Sequence, residues 1–261
     1  MRDVTAEGAL LAGGGAAILL QVADPTVASG VAQHSDFATR PLLRLRTTLS
    51  YVYAVVFGRA DQVAFVRSMV DRAHTRVPGA LDPELQLWVA ATLYATGADV
   101  DERVWGPLEP ASADRLYRDN AVLGTALQMP SELWPEDRAA FRRYWEDRVA
   151  RLEVTPEARR VMQDLLHPAA LPLWLLPGMP LVRLLTAGLL PASVRAAYGL
   201  PWSSLRQRRF DRAFRILAAI YRPLPRRLRH WPMHHYLGSL KAIARRSTSG
   251  SRATASRSAR S

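Results

Sequence analysis

The chain has 261 residues, of which 49% are apolar, and this is enough to bury a full hydrophobic core. It contains no cysteine, which excludes disulfides, thiolate metal sites, iron–sulfur clusters and covalently attached haem. Residues 203–261 hold fifteen basic residues and one acidic residue, so they account for the net charge of +12, and residues 1–202 are close to neutral.

An N-terminal apolar run, residues 8–20, contains three consecutive glycines. The run is too short to cross a bilayer, and the mixed charges before it are not those of a signal peptide. Gly13, Gly14 and Gly15 lack the spacing of a nucleotide-binding loop, and no strand precedes them. Since glycine has no side chain, we expect the triplet to allow close approach of the backbone to another helix or to a flat ligand.

The next three segments have helical periodicity and clear boundary residues. The first predicted helix occupies residues 40–58 and stops at a glycine, and the second occupies residues 61–76. The third begins with Asp82 as N-cap and Pro83 in the first turn, and Gly97 is predicted to lie just past its end.

Helical segments continue towards the C-terminus. No stretch alternates polar and apolar residues in the manner of a strand, so the fold class is predicted as all-α. We expect a single multi-helix domain over residues 1–246, basic from residue 203, followed by a disordered Arg/Ser-rich tail at 247–261, which has nothing to bury. The remaining predicted helices occupy residues 112–128, 135–154, 155–166, 204–221 and 232–246.

A long apolar region, residues 168–194, is broken by four prolines and carries Arg183. A helix that crosses a bilayer needs an unbroken apolar span, so a transmembrane helix is not favoured here. The pattern leaves two interpretations open. The region forms either bent segments of the core or a surface at a membrane interface.

One histidine, His74, lies on an apolar stripe. Val63, Val66 and Val70 precede it by close to whole numbers of helical turns, so all four residues share a face. Two interpretations follow. His74 is either a packed core histidine with a satisfied hydrogen bond, or a nitrogen ligand to something held in the core.

A second polar feature is the pair Arg44 and Thr48, which lie one turn apart on an otherwise apolar helix. Burial of an arginine costs free energy unless a partner receives its charge. That partner could be a ligand carboxylate, a bound oxygen species or an acidic side chain such as Asp36. A surface position for Arg44 is the alternative that needs no ligand.

The other histidines have ordinary structural explanations. His34 lacks the Gly-x-Ser-x-Gly context of a hydrolase, and His167 precedes a proline at a helix end, where capping is expected. Residues 230–235 contain three histidines but no carboxylate, so an interfacial surface is favoured there over a metal site.

Six segments occur in the order and with the spacing of one known family. They are “LLQVADPTVASGVAQHSDF”, “RPLLRLRTTLSYVYAVVFG”, “VRSMVDRAHTRVPG”, “DPELQLWVAATL”, “YWEDRVARLEVTPEARRV” and “GLLPASVRAAYGLPWS”. They resemble the oxygenase family of fungal MpaB proteins and bacterial latex-clearing protein, the rubber oxygenase, and the resemblance covers roughly residues 8–236.

The resemblance implies an all-α domain of the rubber-oxygenase type with a non-covalent haem b, and O₂ as co-substrate. In that family a histidine on the helix after an Arg-x-x-x-Thr helix binds the haem iron, and by position it corresponds to His74. The Arg-x-x-x-Thr pair corresponds to Arg44 and Thr48, which the resemblance places beside the haem as cofactor-binding and catalytic residues. A haem without cysteine takes its axial bond from a side chain such as histidine or tyrosine.

Three features depart from the family pattern. Many relatives have “AHP” where residues 23–25 read “ADP”, so Asp24 replaces a histidine. Many have “WVHATL” where this chain has Ala90 in place of the histidine, and the linker between His74 and Asp82 is shorter than usual. If those histidines serve catalysis in a relative, this chain lacks their contribution.

Two functional hypotheses follow from the sequence. The first is a haem b-dependent oxygenase that uses O₂ on an apolar substrate, isoprenoid-like or polyketide-like, with its iron bound by His74. The second is a non-catalytic relative, a haem-binding or membrane-peripheral binding protein whose residues 203–261 contact anionic lipid. Specific binding of nucleic acid is not expected, because the basic segment contains no recognisable module. A cytoplasmic location is expected, with peripheral membrane contact through residues 203–261.

Overall fold

A computed structural model describes residues 2–34, 41–77, 79–168 and 171–240, without the side chains of residues 2, 3, 33, 34 and 41–45. Within these ranges the regular structure is entirely helical, which confirms the predicted fold class. The predicted tail at 247–261 and the end of the last predicted helix lie outside the described residues.

The helices follow one another with short connections. They are α1 (Arg2–Ala6), α2 (Gly14–Val22), α3 (Pro25–His34), α4 (Pro41–Phe57), α5 (Ala60–His74), α6 (Pro83–Trp105), α7 (Pro110–Asn120), α8 (Val122–Thr125), α9 (Arg138–Ala150), α10 (Pro156–Leu166), α11 (Met179–Leu189), α12 (Ala192–Ala197), α13 (Ser204–Tyr221), α14 (Arg226–Arg229) and α15 (231–240). Three short 3₁₀ segments occupy Gly8–Gly13, Ser131–Leu133 and Leu173–Gly178.

The central element is α6, which packs against α2 and α13. The Asp82 carboxylate caps its first turn and accepts a hydrogen bond from the backbone N–H of Glu84 at 2.8 Å. The prediction that Gly97 ends this helix is wrong, because the helix continues to Gly106, whose φ of 93° suits glycine. One interior glycine costs only about 1 kcal/mol relative to alanine, and the buried Val100 carries the apolar face beyond it.

Close packing of α2 against α6 and α11 depends on the glycine triplet. A Cβ on Gly15 would overlap the Thr186 hydroxyl of α11, and one on Gly13 would lie 3.2 Å from a Val100 methyl of α6. After the glycines, α2 buries Ala16 completely. The predicted close approach of this backbone to other helices is therefore confirmed.

The remaining helices surround this centre. α4 and α5 pack against each other, α3 packs against α2 and α10, and α13 packs against α6 and α11. Two predicted helices have different bounds in the structure. The helix predicted at 112–128 begins earlier, at Pro110, because the Glu109 carboxylate caps it, and it divides into α7 and α8. The helix predicted from residue 135 begins at Arg138, because Asp137 is its N-cap.

The first and last described segments are joined by a buried carboxylate, that of Glu7. It accepts hydrogen bonds from the Tyr221 hydroxyl at 2.9 Å and the Arg229 guanidinium at 2.8 Å, and it lies 3.1 Å from the His230 ring. The Glu7 charge also affects a second carboxyl, that of Asp101. Burial is the larger cause and the charge of Glu7 the smaller one, and together they raise the pKa of Asp101 to about 6. The basic segment is thus anchored to the core by an acidic residue that is distant in sequence.

Among the described residues, no single helix is both long and apolar enough to cross a membrane. Two consecutive segments, Gly8–Val22 and Pro25–Ala32, have the length and apolar composition of a membrane span only when they are taken together. They meet at a bend of 105°.

Two adjacent glycines provide a matched test of the packing of α2. Gly15→Ala is expected to lower the free energy of unfolding by about 1–3 kcal/mol, because the new methyl overlaps Thr186 in a close-packed core. Gly14→Ala is expected to leave stability unchanged or slightly raised, since nothing lies within 4 Å of a Cβ there. Urea unfolding followed by circular dichroism measures both variants, and equal midpoints would contradict the packing argument.

Candidate functional site

A cavity of about 510 Å³ lies between α2, α4, α6 and the start of α11. Its size is that of a small-molecule site. None of the described residues that line it is charged, and none is a histidine. The polar residues among them are Thr5, Gln21, Thr48, Tyr53, Tyr94, Thr96 and Asn120.

Three of these polar side chains are bound to the protein itself. The Thr96 hydroxyl donates to the Thr92 carbonyl at 2.7 Å, and the Asn120 amide donates to the Leu116 carbonyl at 2.9 Å. The Gln21 amide donates to the Thr92 hydroxyl at 2.9 Å. These bonds stabilise the helices around the cavity, so the cavity is less polar than its residue types suggest.

Two tyrosines, Tyr53 and Tyr94, line the cavity. Burial raises the pKa of the Tyr53 phenol to about 12, and it also raises the pKa of the Tyr94 phenol. The Tyr53 ring is held by stacking on Tyr236, with 6.0 Å between the ring centroids. Both phenols therefore stay protonated at physiological pH, and the described wall carries no charge.

Glycines form part of the cavity wall. Gly13, Gly14 and Gly15 lie at the start of α2, and Gly97 faces the same cavity from α6. No atom lies within 4 Å of an ideal Cβ at Gly14 or Gly97, so both positions border open space. Gly97 is a site residue that sequence reasoning missed, because a glycine near the end of an apolar run also predicts a helix terminus.

The structure places the predicted site residues Thr48 and His74 apart from each other. Thr48 lines the cavity, while Arg44 lies one turn earlier on α4 and its side chain is outside the described part. His74 is the half-buried last residue of α5, and it is not among the described residues that line the cavity. Val66 and Val70 of the same stripe pack into an apolar cluster between α4 and α5. The described geometry therefore brings Thr48, but not His74, to the cavity.

The chemistry of the wall can be compared with the needs of a haem. The size and apolar character of the cavity suit a macrocycle, but haem iron needs an axial donor and the propionates need cationic or hydrogen-bonding partners. The described wall supplies neither a histidine nor a cation. The described lining thus offers no ligand to a haem iron, and haem binding by His74 stays a prediction.

Comparison with known proteins decides the family. Residues 1–219 match the family described as “ER-bound oxygenase mpaB/B'/Rubber oxygenase, catalytic domain”. The chain belongs to this family. Two uncharacterized proteins, one from Mycobacterium bovis and one from Mycobacterium tuberculosis, are each 35% identical to it over 243 residues, which are 87% of this chain and 95% of the relative. No solved structure matches the chain.

Membership of the mpaB/rubber oxygenase family confirms the resemblance seen in the sequence. The structure also shows the surroundings of Asp24, where the resemblance predicts a histidine. The Asp24 carboxylate accepts hydrogen bonds from the backbone N–H of Thr26 at 2.9 Å and Val27 at 3.2 Å, which caps α3. It also pairs with the Arg148 guanidinium at 2.6 Å, which lies over the Trp88 ring. Asp24 thus has a structural role in this mpaB/rubber oxygenase domain.

At the second such position, Ala90 is closely surrounded by other residues of the core. Ala90 is only 1% exposed. A Cβ added to Gly124 would lie 3.4 Å from the Ala90 methyl and 2.6 Å from the Met129 sulfur. A histidine at position 90 would need this space, so Ala90 is matched to its neighbours in this member of the family.

The Asp24–Arg148 pair can be tested against an exposed pair. Asp24→Asn keeps an oxygen for the cap but leaves Arg148, whose side chain is 23% exposed, without its counter-charge. We expect the free energy of unfolding to fall by about 1–3 kcal/mol. Asp61→Asn, which removes a pairing of Arg59 at the surface, is the control and should change stability by no more than about 0.5 kcal/mol. Urea unfolding measures the stability of both variants. An unchanged free energy of unfolding in Asp24→Asn would refute the structural role of Asp24.

Proposed function

We propose that this chain is an oxygenase that acts on a neutral, apolar small molecule held in the cavity. Membership of the mpaB/rubber oxygenase family supports oxygenase chemistry. The observation that carries the choice of substrate class is the absence of charge from the described lining of a 510 Å³ cavity. A buried charge without a partner costs several kcal/mol, roughly, so such a wall selects against ionised molecules.

The residues of the wall have distinct parts in this proposal. The apolar side chains of α2, α4 and α6 exclude water, and each CH₂ group of a ligand removed from water contributes about 0.8 kcal/mol. The hydroxyls of Thr48 and Tyr53 offer hydrogen bonds to a single polar group on an otherwise apolar molecule. An isoprenoid-like or polyketide-like chain is the kind of substrate that suits this wall.

Filling the cavity from its glycine wall tests where the ligand binds. In Gly97→Leu the new side chain extends into open space within the cavity, so the affinity for Nile red, a neutral apolar dye, should fall at least about tenfold. Gly238→Leu places the same side chain at an exposed position away from the cavity and should leave the affinity unchanged. Fluorescence titration gives both dissociation constants, and circular dichroism checks that the helical content is retained. Equal affinities would exclude the cavity as the ligand site.

Competition for the dye distinguishes a neutral ligand from a charged one. Farnesol should displace Nile red, whereas farnesyl diphosphate carries the same chain with a charged head group and should compete at least about tenfold less well. Stronger competition by the diphosphate would contradict the neutral-ligand proposal.

Dependence on haem b, with iron and O₂, is the finer part of the proposal and rests on the family resemblance. When haem is supplied during expression, the purified protein is expected to show a Soret band that is lost in His74→Ala. His167→Ala removes another histidine, at the end of α10, and should keep the band. Visible absorption spectra decide the matter. A wild-type protein without a Soret band would remove haem from the proposal, and a band that persists in His74→Ala would remove His74 as the iron ligand.

A non-catalytic binding protein is the second candidate function. The structural roles of Asp24 and Ala90, at two positions where many relatives have histidine, favour it. Substrate-dependent consumption of O₂ by the purified protein separates the two candidates, because a binding protein would retain the apolar ligand without consuming O₂.

A further inference from the structure

An exposed apolar segment, residues 171–182, lies beside the cavity, and we refer to it as the apolar rim. It contains no charged residue. Leu173, Trp174 and Leu181 are 82%, 76% and 50% exposed. Apolar side chains grouped at a surface mark a contact with another molecule or a membrane, because leaving them in water is unfavourable.

The rim and the cavity share residues. Leu175 and Met179 line the cavity from the rim, and Val182 both lines the cavity and is 41% exposed. Leu11, from the 3₁₀ segment before α2, also lines the cavity and is 39% exposed. Residues that face both the cavity and solvent mark its mouth, so the cavity opens at the rim.

Basic residues are exposed on α13, the helix that neighbours α11. α11 begins within the rim, and α13 packs directly against α11. The only acidic residue of α13 is Asp211, and its arginines are exposed at Arg206, Arg208, Arg209, Arg212 and Arg215. Exposed arginines next to apolar side chains complement the anionic head groups and acyl chains of a bilayer.

We propose that the apolar rim inserts into the interface of an anionic lipid bilayer, and that the apolar ligand passes between bilayer and cavity at this point. Tryptophan suits this position, because its ring is apolar while its N–H can bond near the head groups. A bilayer is favoured over a second protein copy because the rim is continuous with a cavity for molecules that dissolve in lipid. The inference rests on the proposed function for the nature of its ligand.

Flotation with vesicles tests the contact. Wild-type protein should bind vesicles of phosphatidylcholine and phosphatidylglycerol, and the variant Leu173→Ser/Trp174→Ser should lose at least about tenfold in partition coefficient. The matched control is Leu228→Ser/Trp231→Ser, which removes a leucine and a tryptophan, each 59% exposed, from the basic segment. This control should stay within about twofold of wild type.

A single-cysteine label reports the position of the rim directly, because the natural chain has no cysteine. Trp174→Cys carrying an environment-sensitive fluorophore should shift to shorter wavelength when anionic vesicles are added. The same label at Leu81→Cys, an exposed loop position on another part of the chain, should not shift.

Three results would overturn the proposal. One is equal vesicle binding by wild type and Leu173→Ser/Trp174→Ser. Another is a loss of binding only in Leu228→Ser/Trp231→Ser, which would place the contact in the basic segment. The third is a shift of the Trp174→Cys label that grows with protein concentration without vesicles, which would indicate a second copy of the chain.

Nile red binding separates this inference from the proposed function. Leu173→Ser/Trp174→Ser should keep dye binding that is sensitive to Gly97→Leu. If dye binding is normal and vesicle binding of the wild type is absent, the membrane contact is wrong and the proposed ligand class stands. If vesicles bind but the dye does not, the proposed function fails and the rim remains a membrane contact.

Discussion

The close approach of α2 to α6 and α11 is the constraint on which this fold depends. It requires positions without side chains where the helices meet, since a single methyl at Gly15 would overlap Thr186. Ala16, Leu19 and Leu20 follow directly and are completely buried. Interiors are packed as densely as organic crystals, so this contact fixes how the surrounding helices can be placed.

Different glycines permit the packing and border the cavity. Gly13 and Gly15 allow α2 to approach α6 and α11. Gly14 and Gly97 face the cavity, and their missing side chains leave room there. No charged side chain is among the described residues of the cavity wall. The buried ion pairs lie elsewhere, between Glu7 and Arg229 and between Asp24 and Arg148. Charge stabilises the framework, and the cavity remains apolar.

The two ion pairs also explain how the chain keeps its shape. Asp24 caps α3 while it pairs with Arg148. Glu7 anchors the basic segment to the N-terminal part of the fold, so the charge of that segment is partly compensated within the core. The arginines of α13 remain exposed on the helix that packs against α11.

The sequence by itself determined the fold class, the family and the boundaries of several helices, because periodicity and caps such as Asp82 and Thr155 are local signals. It also singled out Thr48 and the glycine triplet. Only the tertiary structure decided that Gly97 faces a cavity rather than ending a helix, that Thr48 lines that cavity without His74, and that Glu7 meets Arg229 and His230. Such contacts join residues far apart in the chain, and no local pattern records which distant side chains will share a space.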